Sequence, residues 1–357
     1  MIYFAVDRPR TAILDDYLVA EPALRDRVRQ VTYPELFRTR TLERATWVFT
    51  SLDALSEAER QLVSCLQDAA RAAGMCVLND ARKALRRFDL LEELRRLRVN
   101  DFRAHRASGS LDAIRFPVFV READDHNGSL TRLLKNRAEL RRAMLYLRLR
   151  GFEKRELLVV EFCETISADS LYRKYSVFRI GGAYVPRFLQ AGLQWMAKQA
   201  SRTTDPALIA EDLDFVRTNP HAEWVRQVFE TAAIEYGRLD YGVGDGPPQA
   251  WEINLTPVIV GNPARGEETP RRREIRALTG PAKQIVLAGL REAFLAIDQE
   301  FSGRDPIPVD FPRELERVAE RERRESEKLA RRRRRIDALA ASPAFGGIGR
   351  FVRGQLF

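Results

Sequence analysis

Apolar positions along this chain change period several times, and each change marks an element. Short apolar runs at Ile2–Val6, Trp47–Thr50 and Cys76–Asn79 are bounded by charged or turn residues and read as buried strands. Before the third run, Leu62, Cys65, Leu66, Ala69 and Ala73 recur at helical spacing. Ser56 and Glu59 have the capping-box spacing at the start of that helix, and Gly74 stands at its end. Strand, helix and strand at this spacing predict a small parallel α/β domain over residues 1–80.

Helical spacing returns over Leu85–Leu97, where Leu85, Phe88, Leu91, Leu94 and Leu97 form one stripe. Phe116–Val120 reads as a strand, Asp124–Ser129 as a polar loop, and the residues up to Arg150 as a basic helix. Leu157–Val160 is an apolar run bounded by charge, hence a buried strand. Gly181-Gly182 between two alternating runs is a hairpin signal. A two-residue turn there pairs Phe178 with Val185 and Ser176 with Arg187, and places Lys174, Ser176 and Arg187 on one face. A helix is expected from Ala222 to Tyr236, and a second hairpin turns at Gly244–Pro248. Residues 81–303 are read as the second domain. From 304 to 357 the composition shifts to a charged helical tail in which Glu and Arg alternate over Arg313–Arg335, a pattern of i,i+4 ion pairs.

Composition narrows the class. The 357 residues are 45% hydrophobic and 31% charged, with no unbroken apolar stretch of membrane-spanning length. The first residues lack a signal-peptide pattern. Three cysteines, Cys65, Cys76 and Cys163, have no Cys-x-x-Cys spacing, so a reduced, cytoplasmic compartment is expected. Three scattered histidines argue against zinc and leave magnesium, with its oxygen ligands, open. The net charge of +9 is concentrated in part in Arg331–Arg335, away from the residues that look chemical.

Those residues lie on the second hairpin. If its turn centres on Gly246, Asp240 stands opposite Glu252, and Asn254 shares the Glu252 face. Ile253 and Leu255 point the other way and are apolar, so that face is expected to be buried. Two carboxylates and an amide suit one or two Mg²⁺ ions and leave sites for phosphate oxygens. With no lysine adjacent in sequence, the acids are expected to need a cation.

Arg238-Leu239-Asp240-Tyr241 and Glu252-Ile253-Asn254-Leu255-Thr256-Pro257 resemble the paired metal strands of the ATP-grasp superfamily. The resemblance covers roughly residues 75–260. It implies an ATP-grasp fold preceded by the small α/β domain, with Mg²⁺ on Asp240, Glu252 and Asn254. It implies ATP contacts from Arg121, in place of the usual Lys, and from Arg86 or Arg87. The Asp124–Ser129 loop, poor in Gly, stands where a phosphate-covering loop is expected. The hinge that clasps adenine falls at Glu161, Phe162 and Cys163 through free backbone groups, with Glu164 or Asp169 at the ribose. Ser176 stands where relatives place a basic residue that meets the reacting phosphate, so Lys174 or Arg187 is expected to supply that charge. The implied reaction is carboxylate activation by ATP to an acyl phosphate, followed by attack of an amine, on small-molecule or peptide substrates. Trp195, Lys198 and Arg202, within a variable loop expected at 188–220, are candidate substrate contacts. Two rivals remain: a small-molecule kinase on the same fold, and a non-enzymatic binder of nucleic acid or anionic surfaces through the tail, cued by Arg331–Arg335 with Phe345, Phe351 and Phe357. Glu residues offset much of the tail charge, which disfavours nucleic acid and leaves a partner contact through the tail.

Overall fold

The computed structural model describes residues 1–7, 11–125, 128–196, 204–259, 269–301, 303 and 305–341. Lys198 and Arg202, the His126-Asn127 part of the expected phosphate loop, and Phe345, Phe351 and Phe357 lie outside them. The elements of the first half are β1 (Ile2–Val6), α1 (Thr11–Ala20), β2 (Val28–Thr32), α2 (Tyr33–Thr39), β3 (Thr41–Leu42), β4 (Thr46–Phe49), α3 (Glu57–Ala72), β5 (Val77–Leu78), α4 (Arg87–Arg96), β6 (Ala104–Arg106), β7 (Val118–Glu122), α5 (Arg137–Leu149) and β8 (Leu157–Glu161). Then follow β9 (Tyr172–Ile180), β10 (Ala183–Gly192), α6 (Pro206–Thr218), α7 (Ala222–Ala232), β11 (Tyr236–Gly242), β12 (Gln249–Asn254), α8 (Pro270–Ile297), β13 (Ile307–Pro308) and α9 (Arg313–Ala341). The class is mixed α/β, as expected. No helix among the described residues is long and apolar enough to cross a membrane.

The chain forms two compact units, residues 1–85 with 165–315, and residues 86–164 with 316–357. Both are discontinuous, unlike the linear three-part division read from the sequence. In the first unit, β2-β1-β4-β5 is a four-stranded sheet, all parallel. Phe4, Trp47, Val48 and Phe49 are buried in it, which explains their continuous rather than alternating apolar runs. The α3 capping box forms as the sequence predicts, with the Ser56 hydroxyl accepting from Glu59 N and the Glu59 carboxylate accepting from Ser56 N. The same unit holds a second, antiparallel sheet in the order β10-β9-β11-β12. Phe4 of β1, Tyr236 of β11 and Phe294 of α8 meet edge to face or tilted, at 5.1 to 6.5 Å between ring centroids. This three-ring contact binds residues far apart in sequence into one core and accounts for the unit's discontinuity.

On one face of the antiparallel sheet, Tyr175 stacks on Tyr241 and meets Phe215 of α6 and His221. Trp224 of α7 packs on Tyr241 as well. Two local expectations are corrected here. The helix expected to run to Tyr236 ends at Ala232, because Ala233 turns into the left-handed region and Tyr236 opens β11. The stretch 188–220 is not one loop: it contains the end of β10 and, with Asp205 as N-cap, α6.

In the second unit β8 is central, antiparallel to β6 and to β7. Val118, Val120, Leu140, Ala143, Leu147, Leu157 and Val159 form its core with α5. Tail helix α9 carries the expected i,i+4 pairs, Arg324 with Glu320 and Arg331 with Glu327. Arg333 does more: it pairs with Glu122 at 2.8 Å and with Glu156, and its guanidinium lies 4.6 Å over the Phe152 ring.

Candidate active site

The antiparallel sheet brings chemistry together because its register is set by turns and bulges. Asp240 stands opposite Glu252, as expected, and Arg238 stands opposite Asn254. Past Asp240 the ladder shifts by one, so Trp251 is the extra residue of a bulge in β12. On the other side, Asp240 faces Ser176 of β9. Phe178 pairs with Val185 as expected, but Ser176 does not pair with Arg187. A bulge between Pro186 and Phe188 sets Phe188 opposite Ser176 and leaves Arg187 as the extra residue. A row therefore crosses all four strands: Phe188, Ser176, Asp240, Glu252. Next to it on the same face lie Lys174 and Arg238, one step to either side.

Asp240 is the centre of this row, with 2% of its surface exposed. Its Oδ1 accepts from Ser176 Oγ at 2.6 Å and from Arg238 Nε at 2.8 Å. Its Oδ2 accepts from Arg238 Nη2 at 3.0 Å and from Lys174 Nζ at 2.7 Å. The expectation that the acids stand without a neighbouring cation is thus corrected. Lys174 is distant in sequence but adjacent across the sheet, and Arg238 is two residues earlier on the same strand. Arg238 is the residue that the sequence reading passed over, although its i−2 position already placed it on the Asp240 face. Burial alone would push the Asp240 carboxyl up, but Arg238 and Lys174 outweigh it and hold it below the usual carboxylate range.

Arg187 reaches the same face from its bulge. Its Nε donates to the Ile259 carbonyl at 3.0 Å, and it pairs with no carboxylate among the described residues. Burial, then the neighbouring Arg238, push its guanidinium down to about 10, so it remains charged at neutral pH. Lys174, Arg187 and Arg238 all lie over the Phe188 ring, at 5.9, 4.8 and 5.9 Å. Asp212 of α6 braces the bulge by accepting from Leu189 N at 2.7 Å. Three cations thus stand among three carboxylates, Asp240, Glu252 and, beside Arg187, Asp212.

The candidate metal set is oxygen-only. Among the described residues no three His, Cys, Asp or Glu side chains cluster as a metal site, and here the set is two carboxylates and the Asn254 amide. Asn254 Oδ1 accepts from Thr256 N at 2.8 Å, which fixes the amide at the strand end. Ile253 and Leu255 are buried on the opposite side, as predicted. Glu252 is half-buried and close enough to Arg238 and Asp240 to influence the charge of both.

The other candidates are placed as follows. Asp169, in the same unit, is held by Arg173 in a two-point pair at 3.0 and 2.7 Å, which draws its carboxyl down to about 2. In the second unit, Arg87 donates to the carbonyls of Glu122, Ala123 and Asp125 at 3.3, 2.7 and 2.8 Å, and Arg121 to that of Asp125 at 3.2 Å. Both guanidiniums hold the start of the polar loop after β7. The Glu161 carboxylate is buried and accepts from Arg115 N at 3.0 Å beside His105. The backbone donors of Glu161 and Phe162 already bond to Arg103 O and Pro117 O, both at 2.9 Å. Those two amides are therefore not free, which leaves the backbone beyond them, at half-buried Cys163 and exposed Glu164. Burial, chiefly, pushes the Cys163 thiol up, so it is not a ready nucleophile.

No family model matches the sequence, and no curated protein matches it. Solved structures similar to this chain include the D-alanine–D-alanine ligase of Bacillus anthracis complexed with ATP, 14% identical with a TM-score of 0.42 over 83% of this chain and 99% of that one. Another is an ATP-grasp RimK domain protein of Sphaerobacter thermophilus, 17% identical with a TM-score of 0.43 over 80% and 99%. A third is the ATP-grasp ligase PsnB with Mg, ADP and a variant of its minimal precursor, 12% identical with a TM-score of 0.43 over 79% and 97%.

Proposed function

We propose that this chain is an ATP- and Mg²⁺-dependent ligase that activates a carboxylate as an acyl phosphate and joins it to an amine. The observation that carries the proposal is the row of carboxylates and cations on one sheet face: Asp240, Glu252 and Asn254 interleaved with Lys174, Arg187 and Arg238. Transfer of a phosphoryl group spreads negative charge over oxygens, and fixed cations stabilise it without reorganising. Arg187 has the geometry for this, since its Nε is anchored on Ile259 O and its Nη groups have no hydrogen-bond or ion-pair partner among the described residues. Arg238 keeps its planar fork on Asp240 and orients that carboxylate. Ser176 donates to Asp240, so it supports the site as a donor and the positive charge comes from Lys174 and Arg187.

Mg²⁺, when bound, would neutralise phosphate oxygens and polarise the transferred group. Asp240, Glu252 and Asn254 would hold it. Their oxygen-only donor set fits a hard cation, and the position beside Asp240 Oδ2 is already one that a cation fills. The roles that the resemblance implies for Arg87, Arg121, Cys163, Glu164 and Asp169 toward ATP belong to the same proposal. No side chain need act as a covalent nucleophile.

The test is product analysis with a panel of amino acids and short peptides. ADP and phosphate should appear in equal amounts only when an acid and an amine are both present, and Glu252→Ala should abolish the release. A phosphorylated product without an amide would refute ligation, and full turnover in Glu252→Ala would refute the site.

A further inference from the structure

We infer that Lys174 is the resident counter-ion of Asp240, and that it releases this carboxylate to the metal only when a nucleotide arrives to receive its ammonium. The inference rests on the metal–nucleotide reading above and deepens it. An ionised carboxylate offers about four acceptor sites. In Asp240 four donor contacts are in place: Ser176 Oγ, Arg238 Nε, Arg238 Nη2 and Lys174 Nζ. No acceptor site is left for a metal in this arrangement, so one donor must leave.

The structure singles out which one. Ser176 is fully buried on a strand inside the sheet, directly opposite Asp240. Arg238 grips both carboxylate oxygens with a planar fork from the same strand. Lys174 makes a single contact from a flexible stem. Its side chain is 17% exposed, close to the 14% of Arg238, so the difference between the two lies in the number of contacts and not in exposure. In register it stands opposite Gly242, which has no side chain, and it reaches Asp240 diagonally. Of the three donor residues, Lys174 gives up the fewest contacts to Asp240 for the charge it withdraws, one against the two of Arg238.

Energetics then couple two ligands. A divalent ion alone must eject an ammonium from a buried carboxylate, which disfavours binding. With a triphosphate present, the ammonium exchanges carboxylate oxygens for phosphate oxygens beside Arg187, and the cost is largely offset. Metal and nucleotide therefore raise each other's affinity through Lys174, by the same factor in each direction.

The experiment titrates the full chain with Mn²⁺, reading free Mn²⁺ by electron paramagnetic resonance, with and without a non-hydrolysable ATP analogue. In the wild type, Mn²⁺ alone should bind weakly, and the analogue should tighten it strongly beyond the Mn²⁺ that the analogue takes up in a protein-free control. Lys174→Met should bind Mn²⁺ alone at least tenfold more tightly, and its Mn²⁺–nucleotide coupling should fall at least tenfold. Lys174→Gln, which is neutral and one atom shorter, should change in the same direction and serves if the methionine variant does not fold. Lys174→Arg, which keeps the charge, should bind Mn²⁺ alone as weakly as the wild type. Unchanged or weaker Mn²⁺ binding in Lys174→Met or Lys174→Gln overturns the inference. Glu252→Ala separates the two levels. If it loses Mn²⁺-dependent nucleotide binding while the Lys174 variants change nothing, only the Lys174 inference fails. If it retains that binding in full, the site reading fails and takes the inference with it.

Discussion

Replacing Asp240 by alanine should cost far more stability than replacing Glu252, although both stand in one proposed metal site. Asp240 is buried and answers two cations, Lys174 and Arg238, whose side chains are 17% and 14% exposed. Removing one partner of a buried ion pair costs about 3–5 kcal/mol, because the remaining charge is left uncompensated. Here two charges lose their partner, but both keep some solvent, so the lower half of that range is the working value. A unit of this size shifts by about 2–4 °C per kcal/mol, which gives a fall in Tm of roughly 6–15 °C. Asp240→Asn keeps the size and one acceptor but should still fall by several degrees. Glu252 is half-buried on the outer strand β12, and its alanine variant should stay within about 2 °C, as surface substitutions do. The assay is thermal unfolding followed by circular dichroism at pH 7. Acid supplies a second check. The Asp240 pKa is lowered on folding, so its contribution is full above the unfolded value near pH 4 and is lost as pH falls through the folded value. The gap between wild type and Asp240→Asn should therefore begin to narrow as pH falls below about 4. An Asp240→Ala Tm within 2 °C of wild type, or a gap to Asp240→Asn that widens as pH falls below 4, refutes the electrostatic account.

Glu122 behaves in the opposite sense. Burial and then Asp125 raise its carboxyl to about 7, so stability should decline by at most about 3 kcal/mol as pH rises from 4.5 to 7. Glu122→Gln should flatten that slope and raise the urea midpoint at pH 8, and an unchanged slope counts against it. Gly237 has no room for a side chain: an added Cβ would lie 2.9 Å from Ile253 Cγ2 and 3.1 Å from the Asn254 carbonyl. Gly237→Ala should force β11 and β12 apart, cost about 1–3 kcal/mol and weaken Mn²⁺ binding together with stability; a neutral Tm would contradict the packing. Arg121→Ala should raise the ATP concentration needed for half-maximal turnover, and an unchanged requirement removes Arg121 from the nucleotide site.

Features specified by neighbours in sequence were legible. Ser56 and Glu59 are three residues apart, so their capping box needs no tertiary information. The Asp240–Glu252 pairing was expected from a turn centred on Gly246, but the pairs next to the turn, Gly242 with Gln249 and Tyr241 with Ala250, are one step off that register, and the Trp251 bulge restores it. The Ser176–Arg187 pairing failed because no offset at its turn compensates its bulge. The residue inserted at the Pro186–Phe188 bulge leaves no periodic signature, and simple counting from Gly181-Gly182 passes over it. Lys174 was identified as a cation, but its partner was not, because β9 and β11 meet only after α6 and α7 have been placed between them in sequence. Helix α8 was missed too. Its sequence mixes basic, small and apolar residues and contains Pro281, and the core role of Phe294 depends on Phe4 and Tyr236. The same contacts explain why residues 165–315 join the N-terminal residues instead of forming a separate block.

The two bulges have one more consequence. Each sits in an outer strand, beside the Phe188–Ser176–Asp240–Glu252 row, with Arg187 in one and Trp251 in the other. A regular hairpin can slide by a residue and exchange its faces. A hairpin with an unmatched residue cannot do so without carrying that residue into the regular ladder. Arg187 and Trp251 thus act as keys that admit a single alignment of the sheet. They also make the outer strands irregular templates for pairing with another chain. On this view the site's charge pattern is protected twice, against slippage within the molecule and against stacking between molecules. Deleting Arg187 should harm both protections, beyond the loss of one guanidinium.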